Sequence, residues 1–545
     1  MNEIESIIPR QNHVILLRHC VRSTKSKVKL NLIDSSATRP ISEFTKSPLP
    51  NWNVPSDWCT EDAVKTIKNS GSYLMREVLH KKDKLYTRKK KIKFNVIADT
   101  AYRDVDTALS LTLGIAEGAK ELTDYVETIG LNNLRYDHYL FKPFDFVKRK
   151  SKSKYPNSLE KPICDPNFSV KDKAKEVVHR FHTIPRPKSD LNETLTLLEN
   201  LAGVGSAGPL SSLTNNPELS VNDIQLYRDE DFEGPINVLK LMAQMMFYSR
   251  AGGIKPSFLP KATVEDVYNM LAWAHYSRSV ISVDNRKIAL KGAILADTVI
   301  RELQRRNQSN NKDSDDAYDV KVTILVGHDT DIDSLATALG LRWRLSPPFY
   351  QDDFGEFVAT PPGSAMHFVH DIDSSEVKMS YLYPIMVTGK SKGYHLNRTG
   401  ILESAPMTFR KGIDENFAYK LVQDNAASYV SSVENNLNGV DVLNARAEAV
   451  LKRYPEAAEC FSNVTSQHHD TIMMVRDPFC NNASCWIGFS FVSLIVVSIL
   501  VIFTNSRRIK KIVESTVTDN WLANEQAKVL VEKKEGEKND WVSTP

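Results

Sequence analysis

His13-Val-Ile-Leu-Leu-Arg-His-Cys-Val-Arg22 opens as an apolar strand and closes in cations, with Arg18, His19 and Arg22 at its carboxyl end. Two later stretches repeat the pattern. Phe94-Asn-Val-Ile-Ala98 leads into Asp99 and Arg103, then into a helix-like run through Ala108, Leu109, Leu111 and Leu113 to Gly114. Val320-Lys-Val-Thr-Ile-Leu-Val326 leads into Gly327, His328 and Asp329, then through Ile332, Leu335, Ala338 and Leu339 to Gly340. The first and third strands are apolar enough to be buried on both faces, the habit of a parallel sheet. Ligands of open α/β sheets bind beyond the carboxyl ends of the strands. The pattern therefore predicts that cationic groups far apart in the chain meet around one anion.

The long stretch between the second and third strands has a different texture. Asp190 to Leu201, Ile236 to Arg250, Val264 to Ile281 and Asn285 to Gln304 read as helices. The second of these puts Val238, Leu239, Met242, Met245 and Met246 on one stripe, and Gly252 and Gly253 end it. The Gly/Ser/Pro-rich residues 203–218 and the polar residues 308–316 read as loops. The expected fold is α/β: a mostly parallel, doubly wound sheet with an inserted helical domain, plus one C-terminal transmembrane helix. Residues 1–134 and 263–460 would form the core and 135–262 the insert. A cysteine-containing juxtamembrane segment (461–485), the membrane helix (486–504) and a cytosolic tail (505–545) would follow.

The membrane helix rests on length and flanks. Trp486 to Thr504 is 19 residues without a charge, which at 1.5 Å per residue matches a hydrocarbon core of about 30 Å. Arg507, Arg508, Lys510 and Lys511 follow as a cytoplasmic flank does. Cys460, Cys480 and Cys485 crowd the approach to it and suit an oxidising compartment. Sequons at Asn167, Asn192, Asn307, Asn397, Asn463 and Asn482 all precede it. Met1 to Gln11, however, holds two Glu and a Pro and no apolar stretch of the signal-peptide kind. Two topologies stay open: a lumenal or extracellular domain, or a cytosol-facing domain inserted by its tail. The charge balance, 70 basic against 67 acidic residues, gives no global field for nucleic acid. Eight Lys or Arg between Lys81 and Lys93, and a second cluster from Lys148 to Lys154, read as solvated loops, with a nuclear signal or a polyanion-attracting site as the alternatives.

Two Arg flanking a His at a strand end can clamp phosphate oxygens and present an imidazole nitrogen for in-line attack. Arg18-His19-Cys20-Val21-Arg22 resembles the R-H-G-x-R-x-P signature of the histidine acid phosphatases, with Arg18, His19 and Arg22 in place. Gly327-His328-Asp329-Thr330 resembles that family's second signature, the His-Asp pair after its last core strand. Ala98-Asp99-x-x-x-Arg103 resembles the segment with its third phosphate-binding Arg. Trp58 with Thr60, and Thr360-Pro361-Pro362-Gly363, add to the likeness. Order and spacing are most similar to the bacterial phytase and glucose-1-phosphatase branch.

The resemblance implies a two-step phosphatase without metal or cofactor. His19 would take the phosphoryl group. Arg18, Arg22, Arg103 and His328 would bind its oxygens, and Asp329 would protonate the leaving group and then activate water. The substrate implied is a small phosphorylated compound: an inositol phosphate, a sugar phosphate or a less specific monoester. The oligomeric state has no signal in the sequence. Cys20 stands in place of the family's Gly and Thr24 in place of its Pro, so a catalytically impaired ligand-binding ectodomain of the same fold is the alternative. Asp331 stands where close relatives often carry Asn; it would raise the pKa of one of the neighbouring carboxyls or point to solvent.

Other motifs carry less. Gly203-x-Gly205-x-x-Gly208 matches a dinucleotide fingerprint by letters, yet it follows a helix rather than a strand and reads as a loop. His468-His469-Asp470 lacks a fourth metal ligand at useful spacing. Cys20 reads as a buried thiol or as a partner of Cys59. Cys480 and Cys485 would pair with each other or with Cys460. His275 reads as a core or cleft histidine rather than a catalyst.

Overall fold

The computed structural model describes residues 10–29, 38–79, 90–123, 126–129, 134–142, 187, 189–205, 210, 235–282, 286–305, 318–343, 345, 360–384, 386–389, 393–396, 400–409 and 439–453. All fall in the first of the chain's two units, Met1–Thr471. Strands β1 (Gln11–Arg18), β2 (Lys27–Lys29) and β3 (Thr38–Pro40) precede helix α1 (Glu61–Tyr73), β4 (Lys90–Ala98) and α2 (Tyr102–Lys120). Next come β5 (Val126–Ile129), β6 (Leu134–Tyr136) and α3 (His138–Phe141). Four helices follow: α4 (Leu191–Ala202), α5 (Pro235–Ala251), α6 (Val264–Ser282) and α7 (Arg286–Gln304). After β7 (Val320–Gly327) and α8 (Asp329–Leu339) lie β8 (Leu341–Arg342), β9 (Ala365–Asp371), β10 (Val377–Pro384), β11 (Met386–Gly389) and β12 (Gly393–Leu396). Last are β13 (Leu402–Pro406), β14 (Thr408–Phe409) and α9 (Gly439–Arg453).

Eight strands form one sheet in the order β13-β10-β9-β1-β7-β4-β5, with β6 also beside β4. β1, β7, β4, β5 and β6 run parallel, whereas β9, β10 and β13 continue from β1 in antiparallel fashion. Five of the eight strands are parallel, as a mostly parallel sheet requires, and the antiparallel edge formed by β9, β10 and β13 is the part that was not expected. The reason is connectivity. Parallel neighbours need a long crossover, but β9 and β10 are joined by the short turn at 372–376, where Ser375 takes a positive φ of 61°. Every residue of β7 is buried, as is β1 from Asn12 onward, so the two apolar strands do sit at the centre of the core.

Two groups of helices accompany the sheet: α2 lies near β4, β5 and β7 and carries α1 packed on it, and α7, α8 and α9 lie near β1, β9 and β10. The first group sits with its backbones almost touching. A Cβ on Gly114 would come within 1.7 Å of the Lys68 carbonyl oxygen, so only glycine lets α2 dock on α1. That contact holds α2, whose first turn carries Arg103, against α1. Helix α4 begins at Asp190, whose carboxylate accepts from the Asn192 and Glu193 N–H groups, and ends at Gly203 with φ 76°. Gly203 is therefore a helix cap rather than part of a nucleotide loop. Helix α5 packs on α6. The expected span at 486–504, the cysteines before it, and His468, His469 and Asp470 lie outside the described residues. Among the described residues no helix is long and apolar enough to cross a membrane.

Candidate active site

β1, β7 and β4 are parallel and in register, so their carboxyl ends emerge side by side. The ladder continues one residue further. His19 N–H donates to the Gly327 carbonyl at 2.9 Å, and Asp99 N–H donates to that of Val326 at 2.9 Å. On the other side of β1, Arg18 N–H bonds the Ser364 carbonyl (2.8 Å) and Gly363 N–H bonds that of His19 (3.0 Å). His19 is held between the end of β7 and the turn before β9. Three short motifs become one site in this way.

Arg18 is buried. Its Nη2 donates to the Tyr248 hydroxyl on α5 (2.7 Å) and lies 3.0 Å from Asp329 Oδ2, while Nη1 donates to the Thr360 carbonyl. Arg22 pairs with Asp57 and lies 5.9 Å from the centre of the Tyr248 ring. Arg103, in the first turn of α2, donates to His328 Nε2. The His19 and His328 rings meet edge to face with centroids 5.4 Å apart. The structure therefore brings together all six expected residues: Arg18, His19, Arg22, Arg103, His328 and Asp329.

The tautomer of His19 follows from one contact. Its Nδ1 lies 2.8 Å from the Cys20 carbonyl, which can only accept, so Nδ1 carries the proton and Nε2 the lone pair. Burial, then the charges of Arg103, His328, Arg18 and Arg22, push its pKa well below the ordinary value, and the ring stays neutral in mildly acid medium. Burial also lowers His328, against the pull of Asp331. For Asp329, burial alone would raise the carboxyl. Arg18 and Arg278, then His19 and His328, outweigh burial and hold it well below the usual range.

Cys20 resolves into the second of its two readings. It forms a buried disulfide with Cys59, with Cα atoms 5.8 Å apart, and its N–H donates to Thr107 Oγ1 on α2 at 2.9 Å. Arg22 forms a bridge with Cys59, and Thr60 N–H bonds the Val21 carbonyl (3.0 Å). The turn that bears His19 is braced from two sides. Asp331 does not point to solvent. It is fully buried, accepts from His328 N–H at 2.5 Å, and pairs with Lys291 at 2.5 Å. Burial works upward on it, but Lys291 and His328 prevail and lower its pKa. The raised carboxyl of α8 is Asp333, pushed up to about 6 chiefly by burial.

Arg278, Asp333 and Tyr248 escaped the sequence reading. Arg278 Nη1 lies 3.0 Å from Asp329 Oδ2, and its Nη2 donates to Thr360 Oγ1 at 2.8 Å. A signal for it exists: Arg278 is the first Asp, Glu, Lys or Arg after Asp266 in a strongly apolar helix, and such a lone charge needs a buried partner. His275, one turn earlier, feels Arg278, Arg18 and Asp329; burial comes first among the causes that take it down to about 3. Trp58 stacks on exposed Tyr102, centroids 4.5 Å apart. Among the described residues, Asp99, Asp104 and His328 bring potential metal ligand atoms within 4.8 Å of one another. Lys142, 2.6 Å from Asp99, and Arg103, on His328, already supply positive charge to that corner.

No family model matches the chain, and no curated protein matches it. Solved structures do. The phytase from Citrobacter braakii aligns with 82% of this chain and 99% of its own length, at 16% identity and a TM-score of 0.51. Apo Hafnia alvei phytase aligns with 82% of this chain and 98% of its own, at 17% identity and a TM-score of 0.50. The chain has the phytase fold. This is the fold that the resemblance to histidine acid phosphatases implies. Identity this low speaks for the phytase fold alone, so the chemistry has to come from the geometry. Guanidinium groups surround a neutral imidazole with a free lone pair, and a carboxyl group stands alongside: a place for a tetrahedral dianion.

Proposed function

We propose that this chain hydrolyses phosphate monoesters through a phosphohistidine on His19. The observation that carries the reading is the state of that ring: neutral, with Nδ1–H tied to the Cys20 carbonyl and Nε2 left as the nucleophile among Arg18, Arg22, Arg103 and His328. Nε2 attacks phosphorus, and the bond from phosphorus to the leaving oxygen breaks. The Asp329 carboxyl gives its proton to that oxygen. Water then attacks the phosphohistidine and loses a proton to Asp329, the P–N bond breaks, and phosphate departs from the regenerated imidazole. The cations neutralise charge on the transferring group. At rest Asp329 is ionised by two arginines. A dianionic substrate that draws Arg18 to itself removes one of them and makes the carboxyl easier to protonate.

The disulfide supports a working site over an impaired one, since it gives Cys20 a structural partner and braces the turn. A comparison of His19→Ala and Asp329→Asn with the parent, on an alkyl phosphate and on p-nitrophenyl phosphate from pH 4 to 8, tests the reading. His19→Ala should turn over neither ester. Asp329→Asn should lose about 10²–10⁴ in rate on the alkyl ester, whose leaving group needs a proton, and much less on the nitrophenyl ester. Folded His19→Ala protein with parental turnover would sink the mechanism.

The substrate class that fits is a small phosphorylated compound; an inositol phosphate is a natural first choice, because the two solved structures compared above are phytases. We further propose that residues 486–504 anchor the chain in a membrane with the phosphatase domain lumenal or extracellular. The buried Cys20–Cys59 pair favours that topology over the cytosol-facing one. Endoglycosidase sensitivity of the full chain is the test, and an unglycosylated chain with reduced cysteines would reverse the topology.

A further inference from the structure

Two carboxylates one helical turn apart, Asp329 and Asp333, share a single arginine. From α6, Arg278 turns Nη1 to Asp329 Oδ2 at 3.0 Å and Nε to Asp333 Oδ2 at 2.7 Å. Its Nη2 donates to Thr360 Oγ1 at 2.8 Å and lies 3.4 Å from Asp333 Oδ1. The three side chains are only 14–19% exposed, so water competes weakly. A guanidinium is planar and its fork is rigid; it cannot turn wholly to one carboxylate without leaving the other. We infer that Asp333 is a positioning residue which, by holding Arg278, limits how strongly that arginine ionises Asp329 and so sets the pH at which Asp329 works as an acid. The inference rests on the proposed role of Asp329.

Titratable groups face the pair from every side: Arg18 and His19 from the end of β1, Tyr248 from α5, His275 from α6, His328 and Asp331 from the start of α8, and Tyr381 from β10. Besides Asp329, Asp333 is the carboxylate that grips Arg278. Two carboxylates this close titrate as a unit. While both are ionised, mutual repulsion and a divided arginine make the first proton easy to add. Burial already pushes Asp333 up to about 6 whereas Asp329 is held far lower, so at rest the first proton belongs to Asp333. In Asp333→Asn the repulsion is gone and Arg278 is left to Asp329 alone. Both changes favour ionised Asp329. On the alkaline side, where Asp333 is still ionised in the parent, the i,i+4 spacing of about 6 Å and an effective dielectric of about 20 make its missing charge worth about one to two pH units in the first protonation of Asp329.

The test compares the full-length parent with Asp333→Asn and Asp333→Glu. In alkyl phosphate hydrolysis, the alkaline limb of kcat/KM should move about one to two pH units lower in Asp333→Asn and return in Asp333→Glu. A merely structural loss would scale the profile without displacing it. The second readout needs no turnover: calorimetry of inorganic sulfate binding in buffers of different ionisation heat. Sulfate stays dianionic across this range, so linked proton uptake reports the protein. The pH of maximal uptake should fall in Asp333→Asn as the limb does. An unmoved or raised limb, an unmoved uptake maximum, or no uptake in the parent would overturn the inference. A parent that hydrolyses no monoester while its uptake maximum moves as expected would overturn the proposed function and leave this inference standing.

Discussion

Replacing Gly327 with alanine tests how the second motif is built. The new Cβ would sit 2.3 Å from Asp331 Oδ2 and 2.8 Å and 2.9 Å from two ring carbons of Phe141, and both of those residues are fully buried. Neither can retreat into solvent. Asp331 Oδ2 would have to leave the His328 N–H, and a lost charge-assisted hydrogen bond costs about 1.5–3 kcal/mol. Crowding of Phe141 adds about 1–3 kcal/mol. The sum, about 2.5–6 kcal/mol, corresponds to a fall in melting temperature of roughly 2.5–6 °C, because unfolding a unit as large as Met1–Thr471 carries an entropy of about 1 kcal/mol/K. Thermal melts of the purified variant beside the parent read this directly, and monoester turnover should fall with it because His328 loses its backbone anchor. A melting temperature within about 1 °C of the parent, with unchanged turnover, would refute the account of why glycine precedes His328.

Three further predictions concern the surroundings of the site. Cys59→Ser opens a bridge that spans 39 residues, which should cost about 3–4 kcal/mol and raise KM for a phosphate monoester as the turn bearing Arg22 loosens; equal melts and equal KM would show the bridge to be idle. Arg278→Met removes one of the two cations that ionise Asp329, so the alkaline limb of kcat/KM should move to higher pH, and movement to lower pH would contradict the assigned charges. Asp331 is held below the usual carboxylate range, so its contribution is complete above its unfolded value of about 3.9 and is lost as pH falls through the folded one. Asp331→Asn should therefore be less stable than the parent at pH 6 and lose less stability on going to pH 2, as urea melts at the two pH values would reveal.

The strand ends were legible because chemistry and periodicity coincide there. A run such as Val320 to Val326 has few options but burial, and the cations at its end have to meet something. The helices α4 to α7 could be placed within a residue or two by their stripes and by signals such as Asp190 and Gly203. The antiparallel edge of the sheet, β9, β10 and β13, was not legible. β9 carries His367 and His370 among its apolar residues, and nothing local says whether such a strand meets its neighbour head to head or head to tail. Arg278 was missed for a related reason. It reaches the site from a helix some fifty residues before Asp329, and its partnership with Asp329, Asp333 and Thr360 exists only in the folded chain. Cys20 looked like damage to a glycine turn, and only its proximity to Cys59 gives it a purpose.

The central position of β1 has a consequence for biosynthesis. Its partners on the two sides, β7 and β9, are encoded about 300 residues or more downstream, Gln11 lying against Val320 and Asp371. At about 5–20 residues per second, the ribosome needs on the order of 15–60 s between making the first strand and making the neighbours that shelter it. Throughout that interval an apolar strand emerges with both edges open, a ready template for wrong pairing. A nascent chain stalled before Val320 should therefore bind chaperones and show no anion site at all.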